Sequence, residues 1–220
     1  MSPLKYSAGR LLAFPSCSWF IKIPHKSIVK KCCERVGINF NEALAGIVGG
    51  NSLDAYRRFL SRPVHYTRYY IDLGINWEEN KEWITELFIN EMSSDSIKLV
   101  EGMSSLINEL KENSIKVGVV TSTYKEVVLK NLPIFDCVVG NLDAPHKPAP
   151  DGINLCLKKL KIPREKAVYV GDMLQDAYAA KNAGIDFIGV SWGYTTRKFL
   201  ETLPVEVVDS LETLKNYLLF

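Results

Sequence analysis

From residue 99 onward, short apolar runs alternate with amphipathic stretches of about ten residues. The apolar runs predict strands at 116–120, 135–139, 167–170, 187–190 and 206–208. The amphipathic stretches predict helices at 102–112, 126–131, 149–160, 173–183, 196–203 and 210–218. Parallel strands need a long connection, which a helix supplies, so this alternation indicates βαβ units with right-handed crossovers. The predicted fold class is α/β, a doubly wound parallel sheet with a Rossmann-like core.

The residues before 99 follow a different pattern. Leu11–Phe14 predict one buried strand, which Pro15 ends because proline cannot continue the ladder. From Lys26 to Glu91 the apolar residues recur at helix spacing and no strand is predicted. The expected helix N-caps are Asn41, Asn51 and Asn76. We therefore predict a core domain of residues 1–22 and 96–220, and a helical cap domain of residues 23–95 inserted after the first strand.

Composition excludes several classes of partner. The net charge is +2, which argues against a strong polyanion partner, and no apolar stretch is long enough to cross a membrane. The five cysteines include no C-x-x-C pair, so we expect reduced thiols in a cytoplasmic protein, with neither disulfides nor zinc. The apolar run after Lys5 and Arg10 is similar to an export signal, but Pro15 interrupts it and no small-x-small cleavage site follows before Lys22.

The segment 168–176 is the strongest candidate for a functional site. An apolar run ends at Gly171-Asp172, and an Ala-rich helical stretch carrying Asp176 follows. In an open α/β sheet, ligands bind outside the carboxyl ends of the strands, where two carboxylates would suit magnesium. In the alternative interpretation Asp172 only caps the helix and Asp176 is a solvated acid of its first turn. These residues alone leave both interpretations open.

Three more loops follow predicted strands. Thr121 and Ser122 could contact a phosphate, although Thr123 to Glu126 also matches a capping box. Lys147 lies among prolines that stiffen its loop, where it could balance phosphate and carboxylate charge or simply be an exposed cation. The segment 193–196 is predicted to be only a loop.

The predicted cap carries a mixture of basic and aromatic residues that could meet nucleic acid or a partner protein. We favour a solvated helix face with its aromatic side chains turned inward, which makes nucleic acid an unlikely partner. The mixture comprises Arg57, Arg58, Arg62, His65, Tyr66, Arg68, Tyr69 and Tyr70.

Thr121 after an apolar strand, Lys147 in Lys-Pro-x-Pro, and Gly171-Asp172-x-x-x-Asp176 occur in this order in the haloacid dehalogenase (HAD) superfamily. The chain resembles its phosphoglycolate phosphatase and β-phosphoglucomutase branch, which carries a helical cap after the first strand, and the likeness covers nearly the whole chain. The resemblance implies a magnesium-dependent phosphatase that acts on a small phosphorylated metabolite. It implies that Thr121 and, to a lesser degree, Ser122 contact the phosphoryl group, and that Lys147 stabilises nucleophile and phosphate. Asp172 and Asp176 would hold Mg²⁺.

The chain departs from this family after its first strand. The family pattern there is Asp-x-Asp-Gly-Thr, but Pro15 occupies the position of the nucleophile and Cys17 that of the general acid. Proline has no carboxylate to attack phosphorus, and a thiol is a poor magnesium ligand. We therefore expect a weakened metal site and an impaired or inactive enzyme. The alternatives are a pseudophosphatase that binds a phosphometabolite or a partner without turnover, and an altered N-terminus of an active enzyme. We expect a monomer or a homodimer.

Overall fold

The computed structural model describes residues 11–14, 25–62, 64–92 and 99–219. The chain divides into two compact units. We call Ile23–Ile97 the helical unit, and Met1–Lys22 together with Lys98–Phe220 the sheet unit.

The helical unit contains no strand among its described residues, 25–62 and 64–92. Its helices are α1 (His25–Arg35), α2 (Phe40–Val48), α3 (Leu53–Leu60), α4 (Tyr66–Asp72) and α5 (Trp77–Met92). The first two predicted N-caps are wrong by one or two residues, because the Asn39 side chain caps α2 and the Ser52 side chain caps α3. The sequence did not predict α4, whose N-cap is a histidine, His65.

The aromatic side chains of the helical unit mostly point inward. Tyr69 and Tyr70 are buried, as the favoured interpretation of this basic and aromatic mixture predicted, whereas Tyr66 remains 37% exposed. The Arg62 guanidinium lies over the Phe59 ring at 4.4 Å from its centroid and pairs with Asp72 at 2.6 Å. Arg62 therefore covers an aromatic core with its planar group while its charge is balanced locally.

A single six-stranded sheet, parallel throughout, forms the centre of the sheet unit. Its strands lie in the order β3-β2-β1-β4-β5-β6, so the first strand of the chain is central. They are β1 (Leu11–Phe14), β2 (Lys116–Val120), β3 (Cys137–Val139), β4 (Ala167–Gly171), β5 (Asp186–Val190) and β6 (Glu206–Val208). This confirms the predicted fold class. β3 is two residues shorter than predicted, since the Asp136 carboxylate accepts the Val117 N–H at 2.8 Å.

Helices connect these strands and cover the sheet. They are α6 (Met103–Glu112), α7 (Lys125–Asn131), α8 (Asp151–Leu160), α9 (Leu174–Ala183), α10 (Arg197–Leu200) and α11 (Leu211–Leu219). Helix α8 packs on β2 and β3 and also touches α9, which packs on β4 and β5. A Cβ atom at Gly152 would lie 2.7 Å from Val120 Cγ1, so glycine lets α8 approach β2 closely.

One buried tyrosine links the two strands on either side of β1. Tyr169 on β4 is fully buried, and its hydroxyl donates to the Val120 carbonyl of β2 at 3.1 Å. Because β1 lies between β2 and β4, this bond spans the central strand. It fixes the carboxyl ends of β2 and β4 relative to each other, and both ends lead directly into predicted site residues.

The four described cysteines are Cys32, Cys33, Cys137 and Cys156, and all four are buried free thiols. Burial raises the pKa of Cys32 to about 12 and that of Cys33 to about 11. These two thiols therefore stay protonated at neutral pH and are poor nucleophiles. No helix among the described residues is both long and apolar enough to span a membrane.

Candidate active site

The carboxyl end of β1 marks the point where the sheet reverses its direction of winding. The chain continues from β2 to β3 on one side and from β4 to β5 on the other, which opens a crevice beside the central strand. Thr121 directly follows β2 and Asp172 directly follows β4. Pro15 and Cys17, at the predicted positions of the nucleophile and the acid, lie outside the described residues.

Asp172 and Asp176 lie together between the end of β4 and the first turn of α9. Both residues are fully buried. The Asp176 carboxylate accepts the Met173 N–H at 3.0 Å and also the backbone N–H of Asp172. The alternative interpretation of a capping Asp172 and a solvated Asp176 is wrong, because Met173 is the N-cap of α9 and Asp176 is shielded from water.

Lys147 reaches the same carboxylate from a different loop. Its Nζ donates to Asp176 Oδ1 at 2.7 Å, and the two side chains are only 8% and 1% exposed. The loop is tied to α9, because the Asn182 side chain donates to the Pro148 carbonyl at 2.9 Å. Lys147 is therefore not the exposed cation of the alternative interpretation, but half of a buried ion pair.

Opposing effects act on the pKa of Asp176 in this pair. Burial raises the pKa of Asp176 above its usual range, while the Lys147 ammonium and two backbone N–H groups oppose that rise. Breaking such a pair leaves one charge uncompensated in a poor solvent for ions. Buried, perturbed carboxylates at the edge of a crevice are typical of functional sites.

The hydroxyl-rich turn after β2 is ordered by its own backbone. The buried Thr121 donates its N–H to the Val139 carbonyl at 2.9 Å, and its Oγ1 accepts the Thr123 N–H at 3.0 Å. The capping-box interpretation is wrong, because the N-cap of α7 is Tyr124 and no side chain caps that helix. Thr121, the exposed Ser122 and Lys147 line one small pocket with residues 140–141 and 144–146. The structure thus brings together residues from two loops that are distant in sequence.

The loop after β5 joins the site unexpectedly. The Tyr194 N–H donates to Asp172 Oδ2 at 2.7 Å, and the Thr195 N–H donates to the Asp172 carbonyl at 3.1 Å. From sequence alone, this segment is predicted to be only a loop. No local pattern identifies this contact, because the segment 193–196 has neither helix nor strand periodicity.

The donor chemistry of the two aspartates fits magnesium, which prefers carboxylate oxygens. Within the described part of the chain, no group of three or more His, Cys, Asp and Glu side chains comes together as a metal site. By their donor chemistry, Asp172 and Asp176 would supply two of the oxygens around Mg²⁺. The Lys147 ammonium would compete with the ion for Asp176, since both cations are attracted to one carboxylate.

The chain is similar to known proteins over most of its length. Residues 54–190 match the family described as haloacid dehalogenase-like hydrolase. The pyrophosphatase PpaX of Bacillus velezensis is 33% identical over 145 residues, which are 62% of this chain and 66% of that protein. Matches to three PpaX proteins span 46%, 66% and 75% of those proteins' own lengths.

Solved structures share the fold at low sequence identity. A phosphoglycolate phosphatase-like structure from Lactobacillus plantarum aligns with a TM-score of 0.76 at 18% identity, covering 96% of this chain and 99% of that one. CbbY from Rhodobacter sphaeroides in complex with phosphate aligns with a TM-score of 0.66 at 24% identity, covering 91% and 94%.

The fold and the site define an α/β protein with an inserted helical unit and a charged crevice at the carboxyl ends of its parallel strands. Within that class, the chain belongs to the haloacid dehalogenase-like hydrolase family. The predicted resemblance to the haloacid dehalogenase superfamily is confirmed, and solved structures named for its phosphoglycolate phosphatase and β-phosphoglucomutase members share the fold.

Proposed function

We propose that the protein binds a small phosphomonoester together with Mg²⁺ at the crevice of the sheet unit, and that it hydrolyses this ligand poorly or not at all. The buried Lys147–Asp176 pair carries the proposal. A hydrophobic pair of similar size would stabilise the fold at least as well, so two buried charges at a crevice favour a role in ligand binding.

The residues divide the binding task between them. The Lys147 ammonium balances phosphate charge, and the Thr121 and Ser122 hydroxyls lie in the same pocket, where they can donate to phosphate oxygens. Asp172 and Asp176 would hold the magnesium ion, which when bound would supply positive charge against the phosphoryl oxygens.

Turnover is expected to be impaired for two reasons. Pro15 has no carboxylate to act as the nucleophile, and the Cys17 thiol is a weak substitute for a carboxylic acid beside a magnesium ion. Groups that act as a unit in catalysis do not compensate for one another, so the loss spans orders of magnitude in rate. The alternative function is a non-catalytic phosphometabolite-binding or partner-binding protein. The thiols of the described cysteines support a reducing, cytoplasmic compartment, and we expect a monomer or a homodimer.

The names of relatives guide the choice of ligands. The relatives called PpaX are pyrophosphatases, one structural neighbour holds phosphate, and another is phosphoglycolate phosphatase-like. Pyrophosphate, phosphoglycolate and p-nitrophenyl phosphate therefore form a suitable panel.

The test compares the native protein with a variant carrying Pro15→Asp and Cys17→Asp. We expect Mg²⁺-dependent phosphate release from the double variant and little or none from the native protein. In the native protein, we expect phosphate to raise the melting temperature, and Lys147→Ala to abolish that shift. Lys125→Ala is the matched control, since Lys125 is 41% exposed and pairs with Asp143 outside the site.

Each outcome bears on a separate part of the proposal. No phosphate-induced shift at millimolar concentration would rule out the binding site. Full turnover by the native protein would show that the chemistry does not depend on an aspartate after β1.

A further inference from the structure

The loop after β5 holds Asp172 by both its side chain and its main chain. Two successive backbone N–H groups, from Tyr194 and Thr195, donate to Oδ2 and to the carbonyl oxygen of this one residue at 2.7 and 3.1 Å. Thr195 and Asp172 are both fully buried. A short bond from an N–H group to a carboxylate is charge-assisted, and stronger than a bond between neutral groups.

Gly193 lies against the same carboxylate. A Cβ atom built on Gly193 would lie 2.5 Å from Asp172 Cγ and closer still to Oδ2. No side chain can be accommodated there unless the Asp172 carboxylate or the loop moves. Gly193 does not have a positive φ. The requirement for glycine therefore comes from space and not from backbone conformation.

These contacts set the direction of the carboxylate. An aspartate χ2 torsion is broad and is not fixed by rotamer preference alone. Here the Tyr194 N–H fixes one oxygen and the Gly193 backbone closes the space on that side. The orientation of Asp172 is thus decided by the loop that follows the neighbouring strand β5, 22 residues further along the chain.

We propose that Gly193, with the Tyr194 N–H, is a positioning element for the metal ligand Asp172. This inference rests on the proposed function, because it takes the aspartate pair as the Mg²⁺ site. Residues behind a metal ligand typically account for a 10- to 100-fold change in metal affinity. A purely structural role for Gly193 would lower stability and leave the affinity for Mg²⁺ unchanged.

The experiment measures Mg²⁺ dissociation constants by calorimetry for the native protein and for the Pro15→Asp, Cys17→Asp variant, each with and without Gly193→Ala. We expect Gly193→Ala to weaken Mg²⁺ binding at least about 10-fold, with saturation recovered at high Mg²⁺. Gly46→Ala is the matched control, because nothing lies within 4 Å of a Cβ at that helical glycine. It should leave the Mg²⁺ affinity unchanged.

A second measurement needs no metal. Asp172→Gly removes the three atoms that lie nearest to a Cβ at position 193, so Gly193→Ala should lower the melting temperature less in the Asp172→Gly background than in the parent. Equal Mg²⁺ affinity with and without Gly193→Ala, or additive effects on melting temperature, would overturn the inference. If neither the native protein nor the Pro15→Asp, Cys17→Asp variant binds Mg²⁺, both the proposed metal site and this inference are wrong. This outcome is distinguishable from the other two, because it is seen in proteins that lack Gly193→Ala.

Discussion

Each of the two units of the chain contains a carboxylate paired with basic side chains, but the two clusters differ in their exposure to water. In the sheet unit, Asp176 and Lys147 are only 1% and 8% exposed. In the helical unit, Asp72 is 14% exposed and pairs at 2.6 Å with both Arg62 and Arg68, which are 30% and 60% exposed. Water therefore reaches one cluster and is almost excluded from the other.

We interpret this difference as one of role: the buried Lys147–Asp176 pair serves ligand binding, whereas Asp72, Arg62 and Arg68 lie at the surface of a hydrophobic core. Exposed pairs contribute little and are screened by salt, so the helical unit gains mainly from Arg62 stacked on Phe59. In the sheet unit, both Lys147 and Asp176 lose their hydration. This loss lowers the stability of the fold, so we attribute the pair to binding of a ligand or metal. Substitutions in both units test this contrast.

Removing the buried ammonium should have the largest effect. Lys147→Ala leaves Asp176 buried and uncompensated, and we expect it to lower the free energy of unfolding by about 3 to 5 kcal/mol. Lys125→Ala, in the exposed pair with Asp143, should cost less than about 1 kcal/mol. Urea unfolding followed by circular dichroism measures both.

Replacing both partners sharpens this test. The double variant Lys147→Met, Asp176→Leu should recover much of the lost stability without recovering phosphate binding. If Lys147→Ala is as stable as the native protein, the pair is hydrated in solution and the contrast between the two units fails.

Acid should destabilise the helical unit through His25. This residue donates to or accepts from the Tyr56 hydroxyl at 2.7 Å, and burial lowers its pKa from 6.5 to about 4. The contribution of neutral His25 to the free energy of unfolding is fully present above pH 6.5. As the pH falls below that value, the histidine of the unfolded chain takes up a proton first, so the free energy of unfolding falls by about 2 kcal/mol between pH 7 and pH 5.

The variant His25→Phe keeps a ring between Tyr56 and Phe88 but cannot titrate. Unfolding free energies at pH 7 and pH 5 should therefore differ less in this variant than in the native protein. An unchanged pH dependence would mean that His25 is hydrated and not part of the core.

The smallest effect is expected within the exposed cluster. Arg62→Ala removes the ion pair with Asp72, the bond from Nε to the Phe59 carbonyl at 2.9 Å, and the stacking on Phe59, and should cost about 1 to 2 kcal/mol. Arg68→Ala removes only an exposed pair and should cost less than about 1 kcal/mol. Thermal unfolding measures the stability of both variants. A larger loss of stability in Arg68→Ala than in Arg62→Ala would contradict this ranking.

Much of the sheet unit follows from local sequence. Strands β1, β2 and β6 begin and end where predicted, because apolar runs bounded by polar residues or proline specify buried strands. The helix expected at 196–203 is shorter, at Arg197–Leu200. Helix α4 was missed because His65, and not a conventional capping residue, satisfies its first turn.

The candidate site was predictable residue by residue but not as an arrangement. The motif around Asp172 and Asp176 identified both carboxylates, yet their burial and the burial of Lys147 depend on contacts from distant segments. Asn182 anchors the Lys147 loop across 34 residues, and Tyr194 reaches Asp172 across 22. Such contacts have no signature in local periodicity, so only the fold reveals them.

The central position of β1 has a consequence for the order in which the chain acquires structure. Leu11 pairs with Lys116 and with Ala167, so about 100 residues must be synthesised before β1 meets its first neighbour, on the order of 5 to 20 s on the ribosome. The helical unit is complete before then, and its first and last helices already touch, with Lys31 paired to Glu91. The strand made first is therefore fixed late, and the helical unit can fold in the interval and bring the two halves of the sheet unit within reach of each other.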